Sequence, residues 1–218
     1  MDIIYCLNQK QLNGTIMNRL LKLIPEDSKR KTRAYINWRD QQAHVFGRML
    51  LKKLFIVNSP DLQIQELKYN VNGKPYISDS LHFNISHSGD YVVCGYSHES
   101  IVGIDVEKID KKCEIGLLIE KLFPKEANHI NTADDPYAMF YKYWTVKEAA
   151  VKADGRGLAV SFRDIDIGDN TVSIGGRNFY YLSETFYENY QLSVVSERPF
   201  TRPMRIYKTE VIDEFVPE

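Results

Sequence analysis

Two acidic side chains, Asp105 and Glu107, stand two residues apart in the segment IVGIDVEKI at 101–109. Apolar residues alternate with them, which predicts a strand whose apolar side chains point one way and whose carboxylates point the other. Their Cα atoms would lie about 6.6 Å apart, so both carboxylates can converge on one cation. Oxygen ligands without histidine or thiolate suit Mg²⁺ or Mn²⁺. An amphipathic strand with a hydrated face is the alternative interpretation.

A second set of chemically active side chains falls on a predicted helix at 137–158, YAMFYKYWTVKEAAVKADGRGL. Asp135 can cap its start and Pro136 suits the first helical position. Gly155 or Gly157 can adopt the left-handed conformation that ends a helix.

One face of this helix carries Phe140, Trp144, Glu148 and Lys152 at intervals of four residues. The spacing places a carboxylate and an ammonium group one turn apart, beside two aromatic rings. A surface ion pair between Glu148 and Lys152 would explain the same spacing without any function.

Hydroxyl and imidazole groups lie together in the segment LHFNISHSGDYVVCGYS at 81–97. Ser86, His87 and Ser88 precede a predicted turn at Gly89-Asp90. Neither serine has the glycine-rich surroundings of a nucleophile elbow, so a hydrolase triad does not fit. These groups are better suited to hold a phosphate or the edge of a nucleotide.

A basic run occurs in EDSKRKTRAYINWRD, in which Lys29, Arg30, Lys31 and Arg33 fall within little more than one helical turn. These cations repel one another unless solvent or an anion screens them. A solvated helix face and a phosphate clamp are both consistent with the run.

Composition limits the wider interpretation. The chain has 218 residues, 44% hydrophobic and 26% charged, with a net charge of -1. It is long enough for one large domain or two of about 100 residues. The charge excludes bulk attraction to nucleic acid or acidic membranes. The three cysteines lack metal-ligand spacing, and neither a signal peptide nor a membrane-spanning run is evident, so we expect a cytoplasmic protein with reduced thiols.

The periodicity along the chain predicts a mixed α/β fold. A short strand at 3–7 opens the chain; helical patterns at 11–57 precede strand patterns at 62–107, and the same order recurs at 114–153 and 162–207. We place a boundary near residues 108–113, which divides the chain into 1–108 and 109–218.

Three motifs in this order resemble the Sfp-type 4′-phosphopantetheinyl transferases. They are FNISHS at 83–88, GIDVE at 103–107 and WTVKEAAVKADGRGL at 144–158. Gly73-Lys74-Pro75 also resembles a motif of that family. The resemblance covers most of residues 25–158, and beyond it rests on strand pattern alone. It implies two similar α/β halves in a pseudo-twofold arrangement, with coenzyme A and a metal ion in the cleft between them.

The resemblance also implies an activity and a partner. These enzymes transfer phosphopantetheine from coenzyme A to a serine of an apo acyl or peptidyl carrier protein and release adenosine 3′,5′-bisphosphate. By resemblance, Asp105, Glu107 and Glu148 ligate Mg²⁺ or Mn²⁺. Glu148, or a water molecule that it holds, takes the serine proton, while Lys147 and Lys152 hold the pyrophosphate. Trp144 is expected to pack the helix rather than to react, and the chain is expected to be monomeric.

Further residues resemble those that hold the 3′-phosphate and adenine end of coenzyme A, namely Lys31, Lys74, Ser86 and His87. Many relatives carry an arginine about one turn before the glycine that corresponds to Gly47. Here that arginine is missing. Either the 3′-phosphate is held more weakly, or His44 or Arg48 takes the place of the arginine.

A docking surface for the carrier protein is expected in EIGLLIEKLFPKEA at 114–127. Apolar residues at helical spacing would seat this segment, namely Ile115, Leu118, Ile119 and Leu122. Leu117 and Phe123 lie partly off that stripe, beside Lys121 and Lys125. They are either the margins of the core or an apolar anchor with a basic rim for an acidic carrier.

Two other classes of function remain as alternatives. A catalytically silent module of the same fold would bind carrier protein or coenzyme A, yet all three expected carboxylates are present. A nucleic-acid binder would explain the basic run, but neither a basic net charge nor an aromatic platform supports it.

Overall fold

The computed structural model describes residues 1–78, 81–157, 160–187 and 189–216. Seven α-helices and eleven β-strands lie within these residues, which confirms the predicted mixed α/β class. None of the described helices is long and apolar enough to cross a membrane.

The helices are α1 (Gly14–Lys22), α2 (Glu26–Ala34), α3 (Trp38–Asn58), α4 (Ile115–Ile119), α5 (Pro124–Asn131), α6 (Pro136–Asp154) and α7 (Val211–Phe215). The strands are β1 (Asp2–Leu7), β2 (Lys68–Tyr69), β3 (Pro75–Tyr76), β4 (His82–Ser88), β5 (Tyr91–Ser97), β6 (Val102–Lys108), β7 (Ile165–Ile167), β8 (Thr171–Ile174), β9 (Arg177–Thr185), β10 (Tyr190–Ser196) and β11 (Arg205–Lys208).

The strands form two larger sheets and one hairpin. The first sheet has the order β11-β1-β5-β4, and the second has the order β6-β10-β9-β8-β7. Strand β11 runs parallel to β1, whereas the other pairs within both sheets are antiparallel. Strands β2 and β3 form a separate hairpin whose turn contains Gly73 at φ +82°.

The sheets divide the chain differently from the predicted ranges 1–108 and 109–218. Strand β6 pairs along its whole length with β10, so it belongs to the second sheet. Strand β11 returns to the first sheet, and Val211 and Val216, in and just after α7, join the core under α3. Strand pairing over such distances leaves no local periodic signal, and this is why the sequence placed β6 and β11 in the opposite halves.

The two sheets share a core that fixes their positions. Ile3 and Tyr5 of β1 pack in one cluster with Ile104 and Val106 of β6. The opposite face of the first sheet packs on α3, whose Met49 is fully buried. Helix α6 covers the opposite face of the second sheet. The edge strands β4 and β6 therefore lie side by side, with α6 next to their shared seam.

Helix α6 has the ends that its sequence predicts. The Asp135 side chain accepts hydrogen bonds from the backbone N–H groups of Tyr137 and Ala138, and Pro136 occupies the first turn. Gly155 ends the helix at φ +83° in the left-handed region. Leu158, which the prediction included, lies outside the described residues.

Candidate active site

The two carboxylates of β6 lie beside the serines of β4. The hydroxyl of Ser86 donates to Oδ1 of Asp105 over 2.8 Å, and that of Ser88 donates to Oε2 of Glu107 over 2.7 Å. Ile104 and Val106 point to the opposite face and are fully buried, so the predicted alternation is present. Ser86 was expected to hold the nucleotide end of coenzyme A, but its hydroxyl is instead bonded to a predicted metal ligand.

A glycine lets α6 approach these carboxylates closely. A Cβ atom at Gly103 would lie only 1.9 Å from the backbone oxygen of Ala149, so any side chain there would push the helix away. The close contact explains the glycine of the GIDVE motif in physical terms. It also brings the Glu148 and Lys152 turns of α6 against β6.

Lys152 pairs with the innermost carboxylate. Its Nζ atom lies 2.6 Å from Oδ1 of Asp105 and 2.8 Å from the Ser86 hydroxyl. The second carboxylate oxygen of Asp105, Oδ2, is buried and has no hydrogen-bond partner among the described residues. A buried acceptor without a partner is costly and indicates a place for a further donor or cation.

The carboxylates at this seam destabilise one another's charged forms. Burial, followed by the negative charge of Asp105, raises the pKa of Glu107 to about 7, although the Ser88 hydrogen bond opposes this. Burial and Asp105 also raise the pKa of Glu148. Bringing a cation to these groups would relieve both the desolvation and the repulsion.

The chemistry of these groups fits a hard divalent cation. Within the described part of the chain, no three Asp, Glu, His or Cys side chains already stand close enough together to hold a metal. The unpartnered Oδ2 of Asp105 and the crowded carboxylates nevertheless form an all-oxygen donor set. Lys152 pairs with Oδ1 of Asp105, so Oδ2 is the oxygen left for a cation.

A cavity of about 340 Å³ opens directly beside these groups. Its lining brings together predicted site residues from the β2–β3 hairpin, β4 and α6, namely Lys74, His87, Glu148 and Lys152. It also includes both proposed replacements for the missing arginine, His44 and Arg48. His87 is exposed at this cavity, whereas Arg48 is buried.

Arg48, one of the two expected replacements for the missing arginine, is buried. Its side chain is held by the Ser28 hydroxyl at 3.3 Å, by Nε2 of His44 at 3.1 Å and by the Tyr69 hydroxyl at 3.3 Å. None of its recorded ion pairs or hydrogen bonds within the described residues is to a carboxylate. A buried cation without a counterion indicates an anion site.

The protonation of His44 follows from its neighbours. Arginine only donates, so Nε2 of His44 accepts from Arg48, and Nδ1 carries the proton that it donates to Thr32 over 2.8 Å. Burial lowers the pKa of His44 to about 3, and the positive charges of Arg48, Lys31 and His87 contribute. His44 is therefore neutral in this pocket.

The cations of the basic run have different surroundings. Lys29 and Arg30 pair with Glu26 and Asp27 along the exposed face of α2, as expected for a solvated helix face. Lys31 turns inward, with its Nζ atom 3.4 Å from the centre of the Tyr69 ring.

Lys74 ties the β2–β3 hairpin to the end of α6. Its Nζ atom donates to the backbone oxygen of Ala153 over 3.0 Å, and the Asn72 amide donates to that of Gly155 over 3.0 Å. Burial lowers the pKa of Lys74 to about 8. Lys74 thus lines the cavity and also contacts the negative end of the helix dipole.

Comparison with known proteins assigns the family. A sequence model described as 4′-phosphopantetheinyl transferase superfamily matches residues 101–200, and one described as 4′-phosphopantetheinyl transferase, N-terminal, matches residues 14–99. The chain belongs to the 4′-phosphopantetheinyl transferase superfamily. Together the two matches cover nearly all of the described core, including both strands and the helix of the site.

Individual members of the superfamily are similar over much of the chain. The 4′-phosphopantetheinyl transferase gsp of Aneurinibacillus migulanus is 29% identical over 175 residues, which are 78% of this chain and 72% of that protein. The 4′-phosphopantetheinyl transferase Sfp of Bacillus subtilis is 29% identical over 169 residues, 72% of each. The L-aminoadipate-semialdehyde dehydrogenase-phosphopantetheinyl transferase of Mus musculus is 30% identical over 175 residues, 71% of this chain and 56% of the mouse protein.

One predicted site residue of this superfamily member lies elsewhere. Lys147 was expected at the pyrophosphate, but its side chain is fully buried on another face of α6. Its Nζ atom lies 2.9 Å from Oε2 of Glu126 and donates to the backbone oxygens of Phe162 and Ile165 over 2.8 and 2.6 Å. These three contacts use all three N–H donors of the ammonium group. Lys147 therefore does not lie beside Lys152 at the cavity. Sequence spacing gave no signal for Glu126.

The segment expected to dock a carrier forms two short helices rather than one. Ile115, Ile119 and Leu122 are buried, as their spacing predicts. Leu117 on α4 is 66% exposed, and Lys121 is exposed as well. Phe123 is only half-buried, and its ring lies beside the ammonium groups of Lys125 and Lys147. Trp144 packs between Phe140 and Phe162, at ring distances of 5.6 and 4.8 Å, in agreement with a packing role.

Proposed function

We propose that the chain transfers the 4′-phosphopantetheine group of coenzyme A to a serine of an apo acyl or peptidyl carrier protein and releases adenosine 3′,5′-bisphosphate. Membership of the superfamily makes the chain a phosphopantetheinyl transferase. The observation that carries the assignment of the site is the position of Asp105 and Lys152, paired at 2.6 Å beside a cavity lined by cations. An anionic, pyrophosphate-containing substrate suits such a cavity.

We assign Asp105, Glu107 and Glu148 as the residues that would hold Mg²⁺ or Mn²⁺. The cation would neutralise charge on the pyrophosphate and stabilise the leaving group. Lys152 then has a second role, because an ammonium group that no longer pairs with Asp105 is free to donate to a phosphate oxygen.

We assign Glu148 as the acceptor of the serine proton. The serine oxygen attacks the phosphorus that bears the pantetheine group, and the bond from this phosphorus to the bridging pyrophosphate oxygen breaks. The serine proton passes to Glu148, directly or through water, and the electron pair leaves with adenosine 3′,5′-bisphosphate. Without a cation, burial and Asp105 raise the pKa of Glu148; a bound cation would oppose this shift and keep the carboxylate ionised, in the form that can accept the proton.

We assign the cluster of Lys31, His44 and Arg48 to the 3′-phosphate of coenzyme A, with His87 and Lys74 nearer to the rest of the nucleotide. The support is the burial of Arg48, whose polar contacts are neutral groups. Because Arg48 donates to no anion among the described residues, a phosphate would supply the missing counterion. Arg48, oriented by its hydrogen bond to His44, would thereby replace the arginine that many relatives carry.

We assign the surface around Leu117 to the carrier protein. An exposed leucine on a short helix, with exposed lysines at 112 and 121, offers an apolar anchor with a basic rim. Carrier proteins are generally acidic, so the lysines would assist encounter and the leucine would supply affinity.

The transfer itself is tested by incubating the protein with coenzyme A, Mg²⁺ and a panel of purified apo carriers from fatty acid, polyketide and peptide synthesis. Intact mass spectrometry should show one phosphopantetheine added to at least one carrier. Binding of coenzyme A without any mass change on any carrier would favour a silent binding module instead.

A further inference from the structure

Lys147 and Glu126 form an ion pair in which both side chains are withdrawn from solvent. The Nζ atom of Lys147 lies 2.9 Å from Oε2 of Glu126, with side-chain exposures of 0% and 1%. Two backbone oxygens, those of Phe162 and Ile165, complete the contacts of the ammonium group. The pair therefore joins α5, α6 and the turn that precedes β7.

Stability alone does not account for an ion pair at this position. Desolvating two charges costs about as much as their attraction returns, and apolar residues of similar size often stabilise a protein as well or better. Oε1 of Glu126 is buried and has no hydrogen-bond partner within the described residues, which adds a further cost. Such a pair fixes one particular arrangement of the elements that it joins.

On the Lys147 side, the ion pair fixes α6, the helix that carries Glu148. Successive residues leave an α-helix about 100° apart, so Lys147 and Glu148 point to different faces. Lys147 points toward α5, whereas Glu148 lines the cavity beside Asp105. Anchoring Lys147 on one face therefore sets the rotation of α6 about its axis, and with it the position of the Glu148 carboxylate.

On the Glu126 side, the ion pair fixes α5, which follows directly after the segment around Leu117. Glu126 stands in the first turn of α5, and its Oε2 atom also accepts from the backbone N–H of Phe123 over 3.0 Å. The Phe123 ring lies 5.1 Å from the Lys147 ammonium. One carboxylate oxygen thus contacts both the end of the segment 117–123 and the catalytic helix.

We propose that Lys147 and Glu126 are positioning residues that align Glu148 with Asp105 and join this alignment to the segment 117–123. The proposal rests on the proposed transferase function. Lys147 acts through Glu148 and does not contact coenzyme A, in contrast to the role that the family resemblance suggested for it.

The test compares Lys147→Met, Glu126→Gln and the double variant by steady-state transfer, with coenzyme A and apo carrier varied in turn. Calorimetry gives the Kd for coenzyme A, and a thermal melt reports folding. A misalignment near 1 Å can cost about a hundredfold in rate, so we expect kcat to fall by about tenfold to a hundredfold in each single variant. The Kd for coenzyme A should stay within about twofold, because Lys147 is not a ligand. The double variant should lose no more than the worse single variant, since the two residues act as one unit.

A control is the variant Lys53→Met, which removes a half-exposed ion pair with Glu214 far from the site. It should keep the wild-type kcat. If Lys147→Met does not fold, the kcat of Glu126→Gln tests the proposal. This variant preserves the side-chain volume and keeps an acceptor for the backbone N–H of Phe123. An unchanged kcat in Glu126→Gln, or a tenfold weaker Kd for coenzyme A in Lys147→Met, would overturn the proposal. A wild-type protein that modifies no carrier would instead refute the proposed function.

Discussion

The ammonium group of Lys152 lies 2.6 Å from a carboxylate oxygen of Asp105, at the place where the family resemblance puts a divalent cation. The Asp105 side chain is 3% exposed and that of Lys152 is 28% exposed, so the pair is partly desolvated. In the ligand-free site, Lys152 supplies the positive charge that Asp105 requires. Under the proposed function, Asp105 would help to hold the cation, and Lys152 would then be able to donate to the pyrophosphate.

Replacement of Asp105 should remove transfer while the fold survives. Asp105→Ala deletes a proposed metal ligand and also relieves the repulsion that raises the pKa of Glu107 and Glu148. We expect kcat to fall by about a thousandfold or more, since a ligand of this kind acts on the transition state. The melting temperature should stay the same or rise.

The matched control for this variant is Glu99→Ala, which removes an exposed carboxylate at the other end of β5 and β6. Wild-type turnover in Asp105→Ala, measured by intact mass of the carrier, would remove Asp105 from the site.

Loss of Arg48 should weaken the preference of the protein for coenzyme A over 3′-dephospho-coenzyme A. Arg48→Met keeps the buried volume but removes the cation that we assign to this phosphate. We expect the KM for coenzyme A to rise by about tenfold or more, with a smaller change in kcat, because the phosphate is remote from the bond that breaks. The KM for 3′-dephospho-coenzyme A should change little.

Lys31→Ala should also weaken the preference for coenzyme A over its 3′-dephospho form. The effect should be smaller than that of Arg48→Met, since Lys31 is less buried. Equal losses with both forms of coenzyme A would show that Arg48 supports the fold rather than the phosphate.

The neutral state of His44 predicts a pH dependence of stability. The pKa of His44 falls from 6.5 to about 3 on folding, chiefly by burial, followed by the charge of Arg48. Between these values the unfolded chain binds a proton that the folded protein does not. Stability therefore rises with pH across this window and falls as the solution is acidified, by at most about 1.4 kcal/mol per pH unit for one proton.

Urea unfolding of wild type and His44→Gln from about pH 4.5 to about pH 7 isolates this contribution, because other groups, including Glu107, cancel in the difference. We expect wild type to gain stability over His44→Gln as the pH rises. Parallel curves would mean that His44 is readily protonated in the folded protein.

The sequence predicted the elements of the site whose signals are local. The ends of α6 follow from Asp135, Pro136 and Gly155, which act within one turn of themselves. The alternation in β6 likewise placed Asp105 and Glu107 on one face. Both elements were correct because capping and strand periodicity depend on near neighbours.

The remaining features depend on residues far apart in the chain. Nothing near Lys147 identified Glu126 as its partner, and a lysine directly before Glu148, the base that we propose, resembles a ligand in sequence. The burial of Arg48 against Ser28 and Tyr69 requires α2 and the β2–β3 hairpin to pack on α3, which no local pattern predicts. The sheet to which β6 belongs was similarly decided by its pairing with β10.

Truncation of the Leu117 side chain should weaken the interaction with the carrier protein and leave that with coenzyme A unchanged. Leu117→Ala removes an apolar side chain that is 66% exposed, so its loss should cost little stability. We expect the KM for apo carrier to rise by about fivefold to fiftyfold, with the KM for coenzyme A unchanged. Val57→Ala on α3, where the side chain is 63% exposed, is the matched control and should behave as wild type.

Lys121→Glu at the rim should slow association most at low salt, because screening weakens its effect on encounter. Unchanged carrier kinetics in a folded Leu117→Ala protein would move the docking surface elsewhere.

The most direct test of the site is metal-dependent transfer, followed by intact mass of an apo carrier that the wild-type protein modifies. Three carboxylates that face a pyrophosphate would gather uncompensated negative charge without a cation. We predict that excess chelator abolishes the mass increase and that added Mg²⁺ or Mn²⁺ restores it in wild type but not in Asp105→Ala. Full transfer in excess chelator would contradict the assignment of Asp105, Glu107 and Glu148.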